Sequence, residues 1–203
     1  MKSLPGRSPL ARFVLAVLAW LPATFVVWYF AAPVILWPAV LLAELAARAG
    51  FPDLVRAVEQ SAAVVSFTTW LKPGQAIAGG VVTVEVNALL YSFGLPMFAA
   101  LTLAAREPRW PRILALGYAA LMPMVAWGIV ADFLKNIAIT VTPQVASQTG
   151  FSALQREAIA FAFQFGSLIL PAVAPAIVWV LTHRSFLERM RREPPRERAF
   201  DVD

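Results

Sequence analysis

Arg106-Glu107-Pro108-Arg109-Trp110-Pro111-Arg112 stands between two long apolar runs and holds three arginines in seven residues. A gap this short and this basic reads as a tight turn on the cytoplasmic side of a membrane, because short cytoplasmic loops collect Lys and Arg. The other basic residues agree with it. Lys2, Arg7 and Arg12 precede the first apolar run, and Arg184, Arg189, Arg191, Arg192, Arg196 and Arg198 follow the last. The two remaining inter-helix segments are longer and share only Arg48, Arg56, Lys72, Lys135 and Arg156. The pattern predicts a membrane α-helical protein with four transmembrane helices and both termini in the cytoplasm.

Composition supports a lipid solvent. Of 203 residues, 60% are hydrophobic and 14% charged, where a soluble domain is about 45–50% apolar and about 25% charged. The mean hydropathy is +0.69. The net charge of +5 would fit a nucleic-acid binder in a soluble chain. Here it flanks apolar runs, where it faces anionic lipid and sets orientation, so no nucleic-acid partner is expected. The chain has no cysteine, which excludes disulfides, thiolate catalysis and cysteine metal sites. The lone histidine, His183, closes the last apolar run and reads as an interfacial residue.

The spans fall at about 12–30, 88–105, 113–134 and 158–182 of a single membrane domain, 1–203. Extracytoplasmic segments occupy 31–87 and 135–157, and a cytoplasmic tail 183–203. The first apolar run is too long for a signal-peptide core, and Trp28-Tyr29-Phe30 occupies the place of a small-residue cleavage site, so it reads as an uncleaved anchor. Pro22 should kink this span and Pro33 should end it. Residues 34–49 read as a helix along the outer surface, with a return span as the alternative. A return span would carry the basic 106–112 turn to the outside.

Val64 to Leu71 and Val81 to Val86 are rich in β-branched and aromatic residues, with Lys72-Pro73-Gly74 and Gly79-Gly80 between them. This predicts strand, turn, strand. An open strand edge cannot sit in hydrocarbon, so a small extracytoplasmic β-hairpin layer is expected. Ile137 to Thr142 offers a third strand. Ser152 is placed to cap a helix that leads into the last span, and the tail is expected to be helical near its start.

Six residues form the candidate polar sites. Asp132 and Lys135 are three apart and pair if helical. Gln164 is the one amide in the last span, with Ser167 on the same face, suited to an interhelical hydrogen bond or a ligand contact. Glu85, Asn87 and Tyr91 cluster where the second strand meets span two, with helix capping as their ordinary role. No nucleophile–base pair, phosphate loop or paired metal-ligand motif is present, so neither enzymatic activity nor a cofactor is expected.

Three stretches carry a resemblance: Trp28-Tyr29-Phe30-Ala31-Ala32-Pro33, Val86-Asn87-Ala88-Leu89-Leu90-Tyr91-Ser92-Phe93-Gly94-Leu95-Pro96, and Pro123 to Gly128. With the size and the outer β-rich insert, the chain resembles the small membrane proteins found with bacterial exosortase H. Exosortases are membrane transpeptidase-like enzymes that process proteins bearing a C-terminal sorting helix, through a cysteine with arginine and histidine. Without a cysteine this chain cannot supply that nucleophile. The resemblance therefore implies an accessory inner-membrane component whose partners are lipid and an exosortase or its sorted substrates. The alternative is a small transporter or channel subunit with a polar site near Asp132, Lys135 and Gln164.

Overall fold

The computed structural model describes residues 9–73 and 80–192. The expected turn at Gly74 and Gly79, the basic residues Lys2, Arg7, Arg196 and Arg198, and the tail beyond 192 lie outside them. Helix α1 (Pro9–Ile35) leads through a bend at Leu36 into α2 (Trp37–Gly50). Strands β1 (Val55–Ser61), β2 (Val64–Thr69) and β3 (Thr83–Asn87) form an antiparallel sheet in that order. A short α3 (Leu89–Ser92) and α4 (Gly94–Ala105) lead to the turn and α5 (Trp110–Lys135). A five-residue π-helical segment extends α5 to Thr140, and α6 (Pro143–Ala146) is a single turn. α7 (Ala153–Gln164) joins α8 (Leu170–Thr182) through a second π-helical segment, Phe165–Ile169, and α9 (Arg184–Arg192) ends the described chain.

Three continuous helical runs are long and apolar enough to cross a membrane: Pro9–Ile35, Trp110–Thr140 and Ala153–Thr182. Leu89–Ala105 is apolar but shorter. At about 1.5 Å per residue it spans about 25 Å, against about 30 Å of hydrocarbon.

Several local expectations are corrected. Pro33 does not end the first helix, which runs on to Ile35. Pro33 forfeits one backbone donor, but its neighbours Ala32 and Leu36 are buried and Leu36 N–H still reaches the Ala32 carbonyl. The bend comes at Leu36, just before Pro38, and side chains take up carbonyls there: Tyr118 donates to Ile35 O (2.6 Å) and Gln60 to Pro33 O (3.0 Å). Such capping from elsewhere in the fold satisfies a helix end.

Ile137–Thr142 is not a strand. Asn136–Thr140 is helical, and Ile137 and Ala138 are buried. Packing at the end of α5 overrides the β preference of Ile and Thr. The third strand is instead β1, which pairs with β2 from Val55↔Thr69 to Ser61↔Val64. The expected strands match β2 and β3, joined in register from Val64↔Asn87 to Thr68↔Thr83. α2 packs against α5 and β1 through its small residues Ala39, Val40, Ala43 and Ala47. Its 14 residues reach about 21 Å, too short to return across the hydrocarbon.

The two ends of the helix bundle are chemically different. At one end, Phe13 stacks on Trp179 (centroids 5.5 Å) and packs against Phe186 (5.2 Å), tying α1, α8 and α9 together. Arg189 ion-pairs with Glu107, which fixes α9 to the α4–α5 turn. Arg12, the three arginines of the turn and the basic face of α9 therefore share that end. At the other end, Phe67 of β2 stacks on Phe133 of α5 (4.4 Å, 18° between planes). Gln148 adds a reciprocal pair of bonds with the Lys72 backbone, both 2.9 Å. Ser152 caps α7 in a box with Gln155, as expected.

Between these ends the helices approach at glycines. A Cβ on Gly94 would lie 2.4 Å from the Pro171 carbonyl oxygen, and one on Gly128 2.4 Å from the Tyr91 ring. A side-chain ring can shift, whereas a helix carbonyl cannot move without the helix. Gly94→Ala is therefore predicted to destabilise the protein by about 1–3 kcal/mol. Gly50→Ala, which meets nothing within 4 Å, should stay near wild type; thermal unfolding in mild detergent distinguishes the two.

Candidate functional site

Asp132 and Lys135 lie on the last turn of α5, where three-residue spacing puts them on one face. Their side chains pair at 2.9 Å. Asn136 donates its amide to the same carboxylate oxygen, also at 2.9 Å. Tyr91, carried in by α3, brings its hydroxyl close to the Asp132 carboxylate from across the helix interface. Gly128, one turn earlier on α5, leaves the space the Tyr91 ring occupies. Lys135 also sits 4.2 Å over the Phe163 ring of α7. One carboxylate, its side chain 11% exposed, thus takes its lysine and amide partners from α5 and its extension and faces Tyr91 of α3, while the lysine reaches α7.

Glu85 and Asn87 fall elsewhere. Both point outward from β3, whose residues alternate exposed and buried. Asn87 accepts a bond from Leu89 N–H at 3.1 Å, capping the start of α3. Tyr91 is buried and turns toward Asp132. Gln164 is exposed on α7; Ser167 donates to the Phe163 carbonyl at 2.8 Å and lies 3.5 Å from that of Gln164. The polar residues Asn136 and Tyr91 were thus the missing members of the Asp132 cluster. Asn136 is legible from its place four residues after Asp132 once α5 is read past residue 134; Tyr91 is not, because only tertiary packing brings it to Asp132.

Outside these groups, a cleft of about 460 Å³ opens beside the sheet. Phe51, Asp53, Trp70 and Gln148 line it. Arg56 stacks over Trp70 at 5.1 Å.

At the opposite end His183 is fully buried, which corrects its reading as an interfacial residue: its ring stacks on Trp179 at 5.0 Å, and Phe186 of α9 packs on the same indole. Nδ1 lies 3.1 Å from the Trp179 carbonyl oxygen, a contact satisfied by an Nδ1–H. Nε2 is buried with no hydrogen-bond partner among the described residues. The neutral ring suits this place.

A model of the exosortase H-associated membrane protein family matches residues 7–186 of the chain. The chain belongs to that family. No curated protein and no solved structure matches it. In this exosortase H-associated protein the matched stretch takes in α1 to α8, the sheet, both polar clusters and the first turn of α9.

Two outcomes are predicted. Tyr91→Phe should cost about 0.5–1.5 kcal/mol, and that cost should vanish when Asp132 is already alanine, a coupling that a double-mutant cycle measures. Burial lowers the His183 pKa below its usual 6.5, against the opposing pull of the Trp179 carbonyl and the Glu107 carboxylate. The unfolded chain then binds the proton more readily, so stability is full above about pH 6.5 and declines as pH falls below it. His183→Gln should flatten that acid limb in unfolding curves recorded from pH 8 to pH 5.

Proposed function

We propose that this protein is a four-pass component of the bacterial inner membrane, with both termini in the cytoplasm, that assists an exosortase in envelope protein sorting and catalyses no step itself. The family match over residues 7–186 carries this reading. The gathering of basic residues at one end of the bundle supports the orientation, since that end would face the cytoplasm. Leu89–Ala105 then serves as the fourth span, short enough to need local thinning of the bilayer. The sheet and the cleft beside Trp70 would lie outside, where an exosortase or the sorted substrate can reach them. Asp132 and its donors lock the outer ends of the helices beneath that layer.

A role as transporter or channel subunit draws less support. The Asp132 and Lys135 charges satisfy each other. The cavity beside Tyr91, Gly94 and Pro171 measures about 10 Å³, roughly room for one water.

Co-expression with an exosortase and affinity capture of the full chain in mild detergent tests the proposal. The exosortase should be retained at a fixed ratio, and the chain alone should leave a sorting-helix substrate intact. A chain that purifies alone under those conditions, or that cleaves the substrate unaided, contradicts it.

A further inference from the structure

The turn, the start of α5 and α9 border an open cavity of about 520 Å³ at the basic end, within the size range of small-molecule sites. Arg109, Arg112 and Arg189 line it together with Glu107. Glu107 is engaged by Arg189 and its side chain is only 13% exposed, so positive charge remains in excess. That ion pair also holds α9 against the turn and keeps the wall in place. Ile113 and Leu116 add an apolar wall. Leu116 is four residues beyond Arg112 and shares its helix face. It is 57% exposed, on a run apolar enough to cross the bilayer.

We propose that this cavity binds the phosphate-bearing headgroup of an anionic phospholipid. Arginine forks match phosphate oxygens in a way a point charge does not. The apolar strip continuing from Arg112 to Leu116 gives an acyl chain a path that a soluble phosphate would leave empty. The inference goes beyond the sorting role and requires no exosortase.

The full chain, purified in mild detergent, is tested with phosphatidylglycerol, with phosphatidylcholine and with inorganic phosphate. Phosphatidylglycerol should be retained at about one copy per chain in native mass spectrometry and raise the unfolding midpoint by about 3–6 °C. Phosphatidylcholine and inorganic phosphate should do neither. Arg109→Gln with Arg112→Gln should weaken retention about 30-fold, at about 1 kcal/mol per arginine. Arg109→Lys with Arg112→Lys keeps the charge that orients the chain and should fall between that pair and wild type. Arg191→Gln, exposed on α9 outside the cavity, should match wild type. Equal retention of phosphatidylcholine, an equal loss from Arg191→Gln, or a response reproduced by inorganic phosphate would overturn the assignment.

Discussion

Hydrocarbon offers a peptide group nothing to hydrogen-bond, and the arrangement of this chain follows from that constraint. Each long apolar run must satisfy its own backbone, so each is a helix. Among the described residues the strand edges are confined to one end of the bundle, where β1–β3 and the segment around Gln148 meet, and the helices are also broken by short turns at the basic end and by the bend at Leu36. The arginines crowd the other end. Where helices must end or bend, side chains supply the missing partners: Tyr118 and Gln60 at the bend between α1 and α2, Asn87 at α3, Ser152 with Gln155 at α7.

Within the bundle, hydrophobicity cannot hold helices together, because lipid solvates an apolar side chain as well as a neighbouring helix does. Close packing takes its place. Gly94 admits the Pro171 carbonyl, Gly117 the Phe98 ring and Gly128 the Tyr91 ring. The aromatic contacts at the two ends act as clamps, Phe13 with Trp179 and Phe186 at one and Phe67 with Phe133 at the other. The Asp132 cluster adds polar bonds near the second clamp, where a missing partner would leave a buried charge alone. The outward side of α1 carries exposed Val26, Val27, Phe30 and Val34, a surface suited to lipid or to another membrane protein.

Much of this was legible in the amino-acid sequence, for local reasons. Charge blocks marked the ends of apolar runs. Three-residue spacing announced the Asp132–Lys135 pair, and Ser152 announced its cap. The failures share a cause: tertiary context. β1 carries Arg56, Glu59 and Gln60, so its alternation is faint, as suits an edge strand that must resist pairing with other chains. Ile137-Ala138-Ile139-Thr140 looks like a strand by composition, yet stays helical because α5 continues through it. Pro33 looks like a stop, but the buried residues around it hold the helix. His183 reads as interfacial because nothing in its sequence neighbourhood reveals the aromatic cluster of Phe13, Trp179 and Phe186 in which its ring is buried. Tyr91 lay closer in sequence to Asn87 than to Asp132, and only the packing of α3 on α5 decides between them.

The central claim is that the two ends of this bundle lie on opposite sides of a bilayer, with the arginine-rich end in the cytoplasm. The absence of native cysteine allows single cysteines to be placed at Pro108 in the turn and at Ser147 near the sheet, and labelled in intact cells with a membrane-impermeant maleimide. The account predicts that Ser147→Cys is labelled from outside and that Pro108→Cys is labelled only after the membrane is opened. Labelling of Pro108→Cys in intact cells, or protection of Ser147→Cys, would contradict it.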